Sequence, residues 1–377
     1  MPTIGIVAGE ASGDLLGSHL IRALKKQCPD IEFVGIAGPK MMAEGAQTLF
    51  PMEKLSVRGY VEVLRHLPGL LKIRRQLRRY FLQNPPDLFI GIDAPDFNFS
   101  LERSLKRKGI RTIHYVSPSI WAWRKSRMRK IKRAVSHMLA LFPFEPTLYE
   151  QADVPVTYVG HPLADLIPLE PDAEAARESL KIKPGKLVIA MLPGSRQSEV
   201  QQLAELFVET ARLLTEVQPE IQFLVPLVTR ETRTIFERAL YSNQGQVLPV
   251  QILFGHSHLA MEAADAIIVA SGTATLEAAL YKKPLIVTYR MPALSWQILK
   301  RMNYLPYVGL PNILAERFVV PELLQHDATP EKLSETLLQL VNDKAGCKEI
   351  RSEFMRMHKK LRQNSEEKAA KAVLGYL

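Results

Sequence analysis

The sequence predicts an α/β protein of two doubly wound, Rossmann-like domains facing a central cleft. Three observations predict it. Short apolar strands alternate with helical segments through most of the chain, the signature of a parallel sheet covered on both faces. The alternation pauses once, near Val159-Gly160-His161-Pro162 and the proline-bearing stretch 166–171, and then restarts. The length, 377 residues, suits two domains of ordinary size better than one.

The elements follow in order. Residues 4–8 read as a buried strand, 9–14 as a turn and 15–26 as a helix. Residues 32–36, 87–92 and 112–116 are further short apolar strands, with helices between them. After the pause, a helix at 173–180 leads through a Lys-Pro-Gly turn to a strand at 187–192. Strands at 222–226, 250–254, 265–270 and 284–288 continue the pattern, and 331–377 reads as two helices rich in Lys, Arg and Glu. The expected domains are 1–165, 166–345 and a helical tail at 346–377. Doubly wound sheets take ligands at the C-terminal ends of their strands, so the cleft between domains is the expected active site.

Composition narrows the function. Lys and Arg number 49 against 39 Asp and Glu, a formal charge of +10. That balance favours an anionic partner: nucleic acid, a membrane surface or a phosphorylated substrate. Cys28 and Cys347 offer neither a disulfide framework nor a metal-ligand spacing, and they fit a reducing compartment. No constellation has metal-ligand spacing, and no metal or cofactor is expected. The opening residues lack a basic signal-peptide region, and no stretch approaches the ~20 apolar residues of a membrane span. A cytoplasmic protein is expected.

Two segments in the second half carry the strongest chemical signal. Leu187-Val188-Ile189-Ala190-Met191-Leu192 runs into Pro193-Gly194-Ser195-Arg196 and then a helix from about Glu199. Residues 265–270 run into Ser271-Gly272-Thr273 and then Ala274-Thr275-Leu276-Glu277. A strand feeding a helix N-terminus gathers unpaired N–H groups and positive potential at one spot, which suits an anion. Arg196 adds a forked cation matched to phosphate. Glu277, about one turn into its helix, is placed to accept from a sugar diol. Phosphate site plus diol acceptor reads as a nucleotide or nucleotide-sugar pocket.

In the first half, Gly9-Glu10-Ala11-Ser12-Gly13-Asp14 does not match the dinucleotide fingerprint. Its carboxylates would repel phosphate, so a sugar hydroxyl is the better ligand. Asp93 and Asp96 follow a buried strand, where a carboxylate suits general-base work; for Asp96 a plain turn role is favoured. Trp121 and Trp123, followed by Arg124, Lys125, Arg127, Arg129, Lys130, Lys132 and Arg133, suit sugar stacking, single-stranded nucleic acid or simple packing.

These residues also carry a resemblance. Val7-Ala8-Gly9-Glu10-Ala11-Ser12-Gly13-Asp14, Gly91-Ile92-Asp93-Ala94-Pro95-Asp96-Phe97, His114-Tyr115-Val116-Ser117-Pro118-Ser119-Ile120-Trp121-Ala122-Trp123, Leu192-Pro193-Gly194-Ser195-Arg196, Ala270-Ser271-Gly272-Thr273-Ala274 with Glu277, and Leu310-Pro311-Asn312 resemble the lipid-A-disaccharide synthases. The match runs in order over nearly the whole chain. It implies an inverting, metal-independent GT-B glycosyltransferase that joins UDP-2,3-diacylglucosamine to 2,3-diacylglucosamine 1-phosphate (lipid X). It further implies Gly194, Ser195 and Arg196 on the diphosphate, Gly272, Thr273 and Glu277 on the nucleotide, and Asn312 near the nucleotide or donor sugar. Asp93 becomes the candidate base, with Glu10 the second candidate catalytic residue and Ser12 and Gly13 near the reacting sugars. The loop 254–258 departs from the family pattern, and no uracil contact is assigned to it.

A last feature is sided. At ~100° per residue, Tyr60, Val63, Leu64, Leu67, Leu70 and Leu71 share one arc, and Arg58, Arg65, Lys72 and Arg75 another. Pro68-Gly69 is expected to interrupt this helix. Taken alone, the pattern favours an ordinary helix facing a core. The resemblance turns Val63, Leu64, Leu67, Leu70 and Leu71 toward lipid, because the family acts on acylated substrates at the anionic inner-membrane surface. Two rivals remain: another UDP-sugar enzyme such as an epimerase, and a non-catalytic basic nucleic-acid-binding protein. The second leaves Glu277 and the paired glycine turns idle, so no nucleic acid is expected. A homodimer is one of the assemblies the sequence leaves open.

Overall fold

The structure, a computed structural model, describes residues 1–55, 60–121, 127–242, 247–292, 296–297 and 305–377, with the backbone alone over 60–66. The chain forms two compact units, Met1–Asp165 with Lys360–Leu377, and Leu166–Lys359.

The first unit holds seven strands: β1 (Thr3–Ala8), β2 (Glu32–Ile36), β3 (Ala46–Thr48), β4 (Leu88–Ile92), β5 (Arg111–Tyr115), β6 (His137–Ala140) and β7 (Val156–Tyr158). Their order is β3-β2-β1-β4-β5-β6-β7, and every pairing is parallel. The second unit holds six: β8 (Leu187–Leu192), β9 (Ile221–Leu227), β10 (Val250–Phe254), β11 (Ala266–Ala270), β12 (Leu285–Tyr289) and β13 (Glu322–Leu324). They lie in the order β10-β9-β8-β11-β12-β13, again all parallel. Central strands are buried end to end, as in β4 and β11, because helices cover both faces.

Each sheet reverses its winding at one point, between β1 and β4 in the first unit and between β8 and β11 in the second. Loops that leave neighbouring strands in opposite directions open a crevice there, which is where doubly wound sheets bind ligands. In register, Ala8 lies beside Ile92 and Leu192 beside Val269. The loops beginning at Gly9 and Asp93 are therefore neighbours, as are those beginning at Pro193 and Ser271.

Several details differ from the expectation. The helix Ala11–Gln27 starts within the segment expected as a turn. The segment expected to form two helices forms three, Pro330–Asn342, Lys344–Leu361 and Ser365–Leu374. The break before the last is made by Asn364 at φ 54° and by Asp165. The Asp165 carboxylate accepts from the N–H groups of Gln363, Asn364 and Ser365 and from the Ser365 hydroxyl, at 2.6–3.1 Å. The helix Tyr60–Gln83 runs through Pro68 rather than stopping there. Leu67, Pro68 and Gly69 are all exposed, so the interruption costs one backbone bond on a water-facing turn. Its inner side is Ile73, Leu77 and Phe81, spaced four apart and buried in the core of the first unit. No described helix is long and apolar enough to cross a membrane.

Candidate active site

In the first unit, the β1 and β4 loops touch. A Cβ at Gly9 would lie 2.6 Å from the Ala94 Cβ. Glu10 caps the helix Ala11–Gln27 and is half-buried, Ser12 is exposed and Gly13 is buried. Asp14 faces inward, and its carboxylate accepts from the N–H groups of Lys40 and Met41 at 3.0 and 2.9 Å. It fixes the β2 loop and is not available to a sugar.

Asp93 and Ala94 adopt left-handed backbone, φ 51° and 44°. Two consecutive non-glycine residues there cost roughly 1–3 kcal/mol each, so the surroundings must hold them. The Asp93 N–H donates to the Tyr115 carbonyl at 2.9 Å, and Asn98 Nδ2 donates to the Asp93 carbonyl at 2.8 Å. The Asp93 side chain is half-buried and makes no hydrogen bond or ion pair among the described residues. Asp96 differs: it is exposed and pairs with Arg127 at 2.7 Å, a surface role.

The Val116–Trp121 segment follows β5. Val116 sits at φ 81°, a genuine outlier for a β-branched residue. Beneath the segment, Glu145 is buried. Its carboxylate accepts from the N–H groups of Leu141 and Phe142 at 3.0 and 2.9 Å and from the Trp121 indole at 3.2 Å. Burial pushes this carboxyl up to about 7 against those hydrogen bonds. Trp121 packs edge-on against Phe142 and Phe144. Trp123, Ala122, Arg124 and Lys125 lie outside the described residues. Beside β2 and β3, Ala37, Pro39, Met42, Leu49, Phe50 and Met52 line most of a cavity of about 320 Å³.

In the second unit, Gly194 is at φ 118°, and a Cβ there would strike Glu199 at 2.6 Å. The helix Gln197–Val217 follows. Glu199 reaches back from its first turn: Oε2 accepts from the N–H groups of Ser195 and Arg196 at 3.1 and 3.3 Å, and Oε1 meets the Arg196 guanidinium at 3.0 Å. The expected anion site is thus closed by a carboxylate of the same chain, in the manner of a capping box. Arg196 itself is half exposed.

Across the crevice, Gly272 at φ 152° and Thr273 are exposed. The Thr275 hydroxyl donates to the Gly272 carbonyl at 2.8 Å and accepts from the Leu310 N–H at 3.1 Å. Glu277 lies further along this helix, half-buried, and its carboxylate makes no hydrogen bond or ion pair among the described residues. Burial holds its carboxyl above the ordinary range. Asn312 is fully buried. Its Oδ1 accepts from the N–H groups of Val319 and Val320, and its Nδ2 donates to the Val320 carbonyl and Glu322. Its amide therefore anchors the loop that leads from the helix Leu310–Ala315 to β13. Glu322 completes the anchor by accepting from the N–H groups of Val308 and Gly309.

Reading the sequence alone missed Asn98, Glu145, Glu199 and Glu322. Glu199 had a usable signal, a Glu three residues after the N-cap of a helix.

Two parallel-sheet α/β units, each with a crevice at its switch point, define a GT-B-type glycosyltransferase architecture. Solved structures agree at the level of the fold. The calicheamicin glycosyltransferase CalG4 matches with a TM-score of 0.64 at 15% identity, covering 100% of this chain and 98% of that one. The UDP-GlcNAc 2-epimerase from Neisseria meningitidis matches at 0.63 and 14%, covering 100% and 99%. The family model for lipid-A-disaccharide synthetase matches residues 4–374. The lipid-A-disaccharide synthase of Methylobacillus flagellatus is 73% identical over the full length of both chains. The chain belongs to the lipid-A-disaccharide synthase family.

Proposed function

We propose that this chain transfers a diacylglucosaminyl group from UDP-2,3-diacylglucosamine to lipid X, releasing UDP and a β-linked disaccharide 1-phosphate. The observation that carries the donor half is Glu277. A half-buried carboxylate without a protein partner is costly, and two ribose hydroxyls would satisfy it. Arg196 and the Gly194-Ser195 turn would receive the diphosphate in place of Glu199. Gly272 and Thr273 would approach the nucleotide closely because the first carries no side chain and both are exposed.

In the first unit, Asp93 would take the proton of the attacking acceptor hydroxyl as the new bond to the anomeric carbon forms and the bond to the diphosphate oxygen breaks. The transition state is oxocarbenium-like, and attack from the face opposite the leaving group inverts the configuration. Glu10, Ser12 and Gly13 would border the sugars. The apolar cavity beside β2 and β3 supports an acylated acceptor. The test is UDP release from the diacylated donor with and without lipid X, in excess chelator. Release that needs lipid X and survives chelation is expected. No release, or release only when magnesium or manganese is restored, would overturn the reading.

The enzyme is further proposed to work peripherally on the cytoplasmic face of the inner membrane. Leu67 and Leu71 are 40% and 39% exposed, and Lys72, Arg75, Arg78 and Arg79 are exposed on the same helix. Exposed leucines beside basic residues suit an anionic lipid surface. Leu70 is half-buried, and the side chains of Val63 and Leu64 lie outside the described residues. Replacing Leu67 and Leu71 with Ser is expected to weaken partitioning into anionic vesicles by about ten- to a hundredfold. The melting temperature should hold, because exposed positions contribute little to packing. Unchanged flotation would remove the lipid-facing role.

A further inference from the structure

The helix Pro95–Lys106 begins at the Asp93-Ala94 turn and carries Asn98 and Glu102 on one face, four residues apart. That face is inside the protein. Asn98, Glu102 and His114 of β5 are each 0% exposed. A helix packed on a sheet ordinarily presents apolar side chains there, and its neighbours Leu101 and Leu105 do so.

The polar groups are connected but not fully satisfied. Glu102 Oε1 meets His114 Nδ1 at 2.7 Å. Asn98 Nδ2 lies 2.8 Å from the Asp93 carbonyl, 3.4 Å from that of Ile92 and 3.5 Å from that of Val7. Asn98 Oδ1, Glu102 Oε2 and His114 Nε2 have no hydrogen-bond partner among the described residues. Gly91 is required beneath them, because a Cβ there would lie 2.1 Å from Glu102 Oε1 and 3.0 Å from the Asn98 Cβ. A partly satisfied buried network is a poor way to gain stability, so another constraint retains it.

The three carbonyls near the Asn98 amide belong to the ends of β1 and β4, the two strands that border the crevice, and to the first residue after β4. One of them is that of Asp93, turned out of the ladder by its left-handed backbone. We infer that Asn98 is a positioning residue for Asp93, holding the Asp93-Ala94 peptide so that the carboxylate points into the crevice, with the Glu102–His114 pair fixing the rotation of the helix that carries it. This rests on Asp93 as the base.

The test combines Asn98→Ala, Asp93→Asn and the double variant, with Asn98→Ser retaining one donor. Asn98→Ala is expected to lower kcat about a hundredfold, the scale of a misplacement near 1 Å. The donor KM and UDP affinity should stay within about twofold, and Asn98→Ser should recover part of the rate. In the Asp93→Asn background the Asn98→Ala change should have little further effect, because the two act as one unit. Near-normal kcat for Asn98→Ala would overturn the inference. So would an equal further loss in the Asp93→Asn background, or failure of both Asn98 variants to fold. A fully active Asp93→Asn enzyme would remove the base assignment instead, whatever Asn98 does.

Discussion

Asp93→Asn should lower kcat by about two to four orders of magnitude, the range a positioned general base contributes, while leaving the fold intact. The substitution isolates the carboxylate. Asn is nearly the same size, and it tolerates left-handed backbone better than most residues, so φ 51° at this position is not disturbed. The Asn98 hydrogen bond goes to the main-chain carbonyl of residue 93 and survives the change. What disappears is the carboxylate that would accept the proton of the attacking hydroxyl. UDP affinity should stay within about twofold, since Gly194, Arg196 and Glu277 belong to the other compact unit. Steady-state UDP release gives kcat, and calorimetry with UDP gives the affinity. A rate within a few-fold of the unaltered enzyme would return Asp93 to a turn role and move the search for the base to Glu10.

Much of the fold was legible because both sheets are parallel and buried. Residues 32–36, 187–192 and 250–254 match strands β2, β8 and β10 residue for residue, since a short, mostly apolar run bounded by turn residues is recognisable without knowing its partner. β3, β7 and β13 were not legible. Each has three residues, too few to show a period, and they pair at or near sheet edges where polar side chains are tolerated. β6 was hidden by His137, which bonds Thr157 and Tyr376. The loops of the candidate site could be located because Gly194 and Gly272 punctuate strand ends. Their internal partners could not. Glu199, Asn98, Glu145 and Glu322 are polar residues that a sequence places on the surface by default. Only their distances to backbone N–H and C=O groups show that they shape loops from within.

Arg196→Ala should lower kcat by about two to three orders of magnitude, the effect of losing one preorganised donor aimed at developing charge. As the bond to the anomeric carbon breaks, negative charge gathers on the diphosphate, and Arg196 sits at the N-cap of the helix Gln197–Val217 directly after β8. The guanidinium adds charge-assisted hydrogen bonds to the potential of the helix terminus. Stability should barely change. Arg196 is half exposed, and its bond to Glu199 is an i,i+3 surface pair, a class worth about 0–1 kcal/mol. The Ser195 and Arg196 N–H groups keep Glu199 as acceptor in the variant, so the turn stays closed by the same carboxylate. UDP affinity should fall with kcat as well: a diphosphate entering this turn would compete with Glu199, and without the arginine only the backbone N–H groups and the helix terminus would draw it in. Glu277 gives the contrast within the same calorimetry, since Glu277→Gln should weaken UDP through the ribose while leaving the charge on the diphosphate answered. An Arg196→Ala enzyme that folds, binds UDP normally and turns over at nearly the original rate would remove Arg196 from the leaving-group side of the reaction.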